Sequence, residues 1–283
     1  MSVLDETRFA RRLRPARPDL AASHLRGQVA ATRFAEGVAL RVTAPVLDLV
    51  LEPGGGLATQ LLHGETFTVY DRAGPLAWGQ AGGDGYVGHV AADGLGPPAP
   101  AGEAATVTAL WSHVYAAPEV KARVTGALPL GARLVLSGQD GAFARLAGGG
   151  WVPRRHLEPV AGDPPAQAAR LVGTPYLWGG RSASGIDCSG LVQLALAATG
   201  QAAPRDSDMQ EAVLGTALDP DTPPARGDLV FWRGHVGMLL APDTLIHANA
   251  HSVAVTIEPF APAVARIAAA GGGPVTSRRR LAP

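Results

Sequence analysis

The sequence is poor in several residue types, and each shortage excludes something. It has one cysteine, Cys188, so no internal disulfide can staple the fold, and a cysteine-based zinc knuckle is excluded with it. Charged residues make up only 17% of the chain, and 24 basic residues balance 24 acidic ones. A chain with no net charge offers little attraction to nucleic acid or an anionic bilayer, so neither is expected as a partner. No apolar run reaches the 18 or so residues of a membrane span. The first twenty residues carry arginines without a following apolar stretch, which argues against a secretory signal and predicts a cytoplasmic protein. Glycine (36) and proline (24) are plentiful among 283 residues, 47% of which are hydrophobic, so the expectation is a folded, loop-rich chain of about two domains.

Residues 1–37 are Arg-rich. Leu25, Val29 and Phe34 stand near helical spacing, which predicts a helix from Leu20 to Ala35 in an N-terminal arm. Between Val38 and Val160 the pattern becomes short alternating strands broken by Gly, Pro and Asp. An internal repeat lies there. Leu62-His63-Gly64-Glu65 aligns with Pro129-Leu130-Gly131-Ala132, Ala77-Trp78-Gly79 with Ala142-Phe143-Ala144, and Gly85-Tyr86-Val87 with Gly150-Trp151-Val152. Two copies of a small β unit, 38–96 and 101–160, follow from it. Their motif order resembles bacterial SH3-type barrels. After the linker around Pro164-Pro165, helices precede strands over 166–283, the order of an α+β domain. Helices are predicted over Gln167–Val172 and Cys188–Thr199. Strands are predicted over Asp228–Trp232, His235–Leu240, Leu245–Ala248 and Val253–Glu258. The Ala/Gly/Arg-rich tail after Phe260 reads as weakly structured.

Cys188 stands at the head of the second helix, where free backbone N–H groups and the helix dipole favour an anion and predict a lowered thiol pKa. If Ala241-Pro242-Asp243 closes a hairpin, Leu240 pairs with Thr244 and Gly237 with His247. His235 and His247 then share a face about 7–8 Å apart, close enough for one imidazole to act as base to the sulfur and the other to orient it.

The local strings are more specific. Gly173-Thr174-Pro175-Tyr176-Leu177-Trp178-Gly179-Gly180 and Asp187-Cys188-Ser189-Gly190-Leu191 resemble the start of the NlpC/P60 family of cysteine peptidases. Pro204-Arg205-Asp206-Ser207, Gly227-Asp228-Leu229-Val230-Phe231-Trp232, His235-Val236-Gly237 and Ile246-His247-Ala248 continue the likeness in order. The resemblance implies a papain-like α+β domain, activity on bacterial cell-wall peptides, and a catalytic set matching Cys188, His235 and His247. Two SH3-like barrels before such a domain resemble the γ-D-glutamyl-L-diamino acid dipeptidyl-peptidases. That branch recycles murein peptides bearing a free N-terminal L-Ala, with no metal or organic cofactor.

Several residues are candidates for holding such a peptide. Asp187 either fixes the substrate ammonium or caps the following helix. Glu65 is the other ammonium candidate, since its repeat partner Ala132 shows that the barrel itself needs no carboxylate there. Tyr86 aligns with Trp151 and is either a contact or a fold aromatic. Tyr176, where the family places a tyrosine beside the cysteine, is a candidate oxyanion donor. Ser189 and Ser207 are candidate donors to the D-glutamyl α-carboxylate. Arg205 either pairs with that carboxylate or braces its loop. Trp78 and Trp178 are read as packing residues.

Overall fold

The computed structural model describes residues 9–160 and 162–281. They fall into two compact units, one within 5–159 and the other formed by residues from 160 onward.

In the first unit, the strand-forming segments of the repeat build two sheets. Seven strands run in the order Leu57–Leu62, Val46–Val50, Val87–Ala91, Leu76–Ala81, Thr66–Ala73, Val38–Val42 and Leu95–Gly96. Six more form the second sheet, ordered Glu103–Thr106, Arg133–Asp140, Phe143–Leu146, Trp151–Pro153, Trp111–Tyr115 and Val124–Pro129. The repeat holds at the level of the backbone. Gly64 and Gly131 both adopt left-handed φ, +82° and +86°, which an L side chain disfavours. Gly64 N–H donates to Val42 O, and Gly131 N–H to Val107 O, each at 2.9 Å. The sheets also meet, because Arg133 N–H donates to His63 O at 2.8 Å. Trp78 is buried with Leu20 and Val87, as expected of a packing residue.

The helix expected over Leu20–Ala35 is absent. Leu20–Ala22 pairs in parallel with Arg33–Ala35, joined through a 3₁₀ turn at Ser23–Leu25. Gly27 takes φ +81° within the span, which interrupts any helix there. Leu20, Ala21 and Ala22 are buried consecutively, so the segment buries a block of residues and not a helical stripe. The only α-helix in this region among the described residues is Ala10–Leu13; residues 1–8 of the expected arm lie outside the described residues.

The second unit places the helices Pro164–Ala169, Cys188–Ala197 and Ser207–Val213 before a sheet. The sheet order is Thr216–Ala217, Ser277–Arg280, Leu229–Trp232, His235–Ala241, Thr244–Asn249 and Ala254–Pro259. Its strands are buried runs, with Val230, Trp232, Leu239 and Leu245 packed against Ala263. This is the α+β arrangement that the order of elements predicts.

The described residues after Phe260 form regular elements, contrary to the composition-based expectation. Phe260–Ile267 is a helix, and Ser277–Arg280 is a strand inside the sheet. The arginines anchor it. Arg280 grips the buried Asp228 at 2.7 and 2.8 Å, while Arg279 donates to Leu214 O and Gly215 O. A segment poor in large apolar residues is fixed here by charge-assisted bonds. No helix among the described residues is long and apolar enough to cross a membrane.

Candidate active site

The helix Cys188–Ala197 begins where the sequence predicts, and Asp187 is its N-cap. Asp187 is extended, and its Oδ1 accepts the Gly190 N–H at 2.7 Å. Gly190 is needed for close approach: a Cβ there would lie 2.4 Å from Gly180 O. The loop before the helix and the helix itself are thereby pressed together. Leu191, Val192, Leu194 and Leu196 are all buried and fix the helix in the core.

Asp187 does more than cap. Its Oδ2 accepts the Gly179 N–H at 2.8 Å, and Arg205 meets both oxygens, at 2.9 and 2.6 Å. Arg205 is almost fully buried and also donates to Ser189 Oγ at 2.8 Å. Arg205 therefore braces the cysteine loop, and Asp187 is both cap and counter-ion. Gln210 adds a further tie, donating to Ser189 O and Pro204 O at 2.9 Å each. Ser207 is buried in the first turn of the helix Ser207–Val213.

On the opposing strands, the register Met238↔Ile246 sets Gly237 opposite His247, as the hairpin reading predicts. A bulge between Leu239 and Ala241 moves the partner of Thr244 from the expected Leu240 to Ala241. His235 and His247 share a face. His235 Nε2 lies 2.8 Å from His247 Nδ1, with ring centroids 5.1 Å apart. His247 is fully buried, and its Nε2 lies 2.6 Å from Glu258 Oε1. Glu258 in turn pairs with Arg266 on the helix Phe260–Ile267. The backbone N–H groups of Ser189 and of Val236, the residue after His235, favour a Cys188 thiolate.

Glu258 and Arg266 were not among the sequence candidates. A signal was available: Thr256 pairs with His247, and Glu258, two residues on, faces the same side of a strand whose alternate residues are apolar. Tyr176 feels the charge of Cys188, so its hydroxyl lies in the electrostatic reach of the sulfur. Burial first, then Cys188 and Asp187, push it up to about 12, and it stays a proton donor. Trp178, read as a packing residue, is instead 68% exposed. His251 sits exposed in the turn before the strand Ala254–Pro259.

The expected lowering of the thiol pKa is overturned. Burial, followed by the neighbouring Asp187 carboxylate, pushes Cys188 up to about 12, and this outweighs the backbone N–H groups and Arg205. Burial, His247 and Arg266 hold His235 down to about 3. Burial also lowers His247, with Glu258 pulling the other way. Burial thus favours the neutral forms of the thiol and of both imidazoles.

Glu65 and Tyr86 belong to the other unit. Glu65 is buried, and its Oε2 accepts the Leu62 N–H at 2.9 Å within the turn that its backbone also closes. Tyr86 is buried too, with its N–H donated to Asp84 Oδ1 at 3.1 Å.

A thiol at a capped helix start and a hydrogen-bonded histidine pair on neighbouring strands are matched by a family signature. Residues 173–265 match the NlpC/P60 family, and 51–95 match the bacterial dipeptidyl-peptidase SH3 domain. Residues 173–265 are an NlpC/P60 domain. Among curated relatives, dipeptidyl-peptidase 6 of Lysinibacillus sphaericus is 38% identical over 82 residues, covering 29% of this chain and 30% of that protein. The γ-D-glutamyl-L-lysine dipeptidyl-peptidase of Bacillus cereus is 32% identical over 141 residues, covering 47% of this chain and 40% of that protein. The chain thus spans well under half the length of these relatives. A crystal structure of an NlpC/P60 family protein from Bacillus cereus has the same fold. It superposes with a TM-score of 0.72 over 87% of this chain and 100% of that one, at 21% identity. SH3-like sheets followed by an NlpC/P60 domain is therefore the architecture of this chain.

Proposed function

We propose that the chain is a cysteine peptidase of murein peptides. It cleaves the bond between γ-D-glutamate and the following diamino acid in peptides with a free N-terminal L-Ala, releasing L-Ala-D-Glu. The observation that carries this reading is the 2.8 Å contact of His235 with His247, His235 being next in sequence to Val236, whose backbone N–H favours the Cys188 thiolate. The name of the Bacillus cereus relative supports the bond chosen, and both names support removal of a dipeptide.

Because thiol and imidazole are both neutral at rest, the proton moves as the sulfur attacks. Cys188 Sγ bonds to the γ-carbonyl carbon while its proton passes to His235, and the carbonyl electrons move to oxygen. Tyr176, which keeps its proton, donates to that oxyanion. On collapse, the carbon–nitrogen bond breaks, His235 returns the proton to the leaving amine, and a thioester remains. Water, losing its proton to His235, then releases L-Ala-D-Glu and restores the thiol. Ser189 and Ser207 are the donors we assign to the D-glutamyl α-carboxylate. Arg205, engaged with Asp187 and Ser189 Oγ, braces Ser189. We further propose recycling of wall peptides in the cytoplasm as the setting; recovery of the protein in the wall or medium fraction would overturn that part.

The test is hydrolysis of L-Ala-γ-D-Glu-diaminopimelate and its lysine counterpart by wild type, Cys188→Ala, and wild type on the N-acetylated peptide. The expected result is L-Ala-D-Glu from wild type alone, with the blocked peptide resistant. Equal cleavage of the blocked peptide would point to a general endopeptidase. Activity surviving in Cys188→Ala would end the cysteine mechanism, and binding without turnover would mark a non-catalytic binder.

A further inference from the structure

The hydrogen-bond chain does not stop at the second histidine, and its far end determines its direction. Glu258 accepts from two sides, His247 Nε2 and Arg266 Nη2. Paired with a guanidinium, Glu258 is a carboxylate, and a carboxylate can only accept. The nitrogen 2.6 Å away must therefore carry hydrogen, so His247 is protonated on Nε2. His247 is buried throughout, and its other nitrogen needs a partner as well. In a neutral ring Nδ1 is then bare and accepts, so the hydrogen in the 2.8 Å contact belongs to His235 Nε2. That leaves His235 Nδ1 without hydrogen. The opposite assignment would set a bare His247 Nε2 against a carboxylate, two acceptors facing each other at a fully buried ring.

We propose that Glu258 is a positioning residue: it sets the direction of the His247–His235 hydrogen-bond chain, so that His235 presents a proton-free Nδ1 to receive the Cys188 proton. The role in turnover rests on the peptidase reading above; the direction of the chain does not. Sheet geometry supplies the placement. Thr256 stands opposite His247 and Glu258 stands opposite Leu245, so the carboxylate is the diagonal neighbour of the imidazole on the same face. Arg266 comes from the helix that directly follows the strand and donates to the same Glu258 oxygen, Oε1, that meets His247 Nε2. The charged groups that act on the histidine pair are Glu258 and Arg266. Among these, only Glu258 contacts His247 as an acceptor in the structure.

The experiment combines tautomer measurement with kinetics. Long-range ¹H–¹⁵N spectra of histidine-labelled protein near pH 7 should show His235 and His247 both as Nε2–H tautomers. In Glu258→Gln the side-chain amide can donate as well as accept, so the Nε2–H population of His247 should fall. The kcat of that variant should drop on the order of 10–100-fold, as when a partner orienting an active-site histidine is removed. KM should hold within about twofold, and the acid limb of the pH–rate profile should move to lower pH, because the carboxylate that favours imidazolium is gone. A merely structural role would lower the melting temperature without moving that limb. An Nδ1–H tautomer at His247 in the wild type overturns the proposal whatever the variant does. So does a fully active, folded Glu258→Gln. Should the wild type cleave no murein peptide yet show both Nε2–H tautomers, the peptidase reading fails and the direction set by Glu258 stands.

Discussion

Arg205 holds Asp187 with two guanidinium nitrogens, at 2.9 and 2.6 Å, behind the cysteine that Asp187 precedes. The pair is almost wholly out of solvent, with Arg205 at 1% exposure. Three of the motif strings therefore serve one construction: Gly179 and Gly180, Asp187 with Ser189, and Arg205 all meet at the start of one helix.

Breaking that pair is expected to cost stability before it costs chemistry. Arg205→Met keeps the bulk but leaves a buried carboxylate without its cation, a loss of about 3–5 kcal/mol. Arg205→Met with Asp187→Asn, which retains a capping oxygen, should regain part of it. Urea unfolding of the three proteins measures this, and a single-variant loss below about 1 kcal/mol would contradict the account.

The raised thiol predicts a particular pH behaviour. With Cys188 pushed up to about 12 from the ordinary 9.0, iodoacetamide labelling of the free protein should be slow at pH 7 and still rising above pH 9. Labelling that levels off below pH 8 would reveal a thiolate–imidazolium pair instead. The linkage has a definite sign. A folded thiol that holds its proton more tightly than the unfolded one contributes stability that is complete below pH 9. That contribution disappears as the pH rises toward 12. Cys188→Ala should therefore lose less stability than wild type over the alkaline range, read from melting temperatures. Slow labelling does not separate a peptidase from an inert binder, since the resting thiol is protonated in both; turnover by wild type against Cys188→Ala does.

Gly64 joins the two SH3-like sheets as well as turning its own. A Cβ there would lie 2.0 Å from Arg133 O, at a φ of +82°. Gly54 has a similar φ of +77° with nothing within 4 Å of the same added atom. Gly54→Ala should cost about 1–2 kcal/mol of backbone strain alone. Gly64→Ala should cost roughly 1–3 kcal/mol beyond that for the collision. Equal denaturation midpoints for the two variants would show that the contact contributes nothing.

What could be read from the sequence was whatever leaves a periodic or ordered trace. The alternation in the repeat gave the two sheets, and the helix predicted over Cys188–Thr199 is present as Cys188–Ala197. The lengths around Pro242 gave a register correct at His247 and wrong at Thr244, because a bulge leaves no mark in a run such as Met238-Leu239-Leu240-Ala241. The Leu20–Ala35 helix failed because three apolar residues near helical spacing are weaker than one glycine at positive φ. The tail failed because arginines bonded to Asp228 and to loop carbonyls supply an order that composition does not register. The thiol failed for a related reason. The helix dipole is visible in sequence, whereas the depth of burial and the carboxylate beside it require the fold.

The placement of Ser277–Arg280 between Thr216–Ala217 and Leu229–Trp232 has a consequence for biosynthesis. As the chain leaves the ribosome, every residue from Cys188 to Arg266 is available before the strand that completes their sheet. Until those last arginines arrive, Asp228 lacks its cation and one margin of Leu229–Trp232 lies open to foreign strands. A product ending near residue 270 would carry all the reactive side chains and yet be a candidate for aggregation.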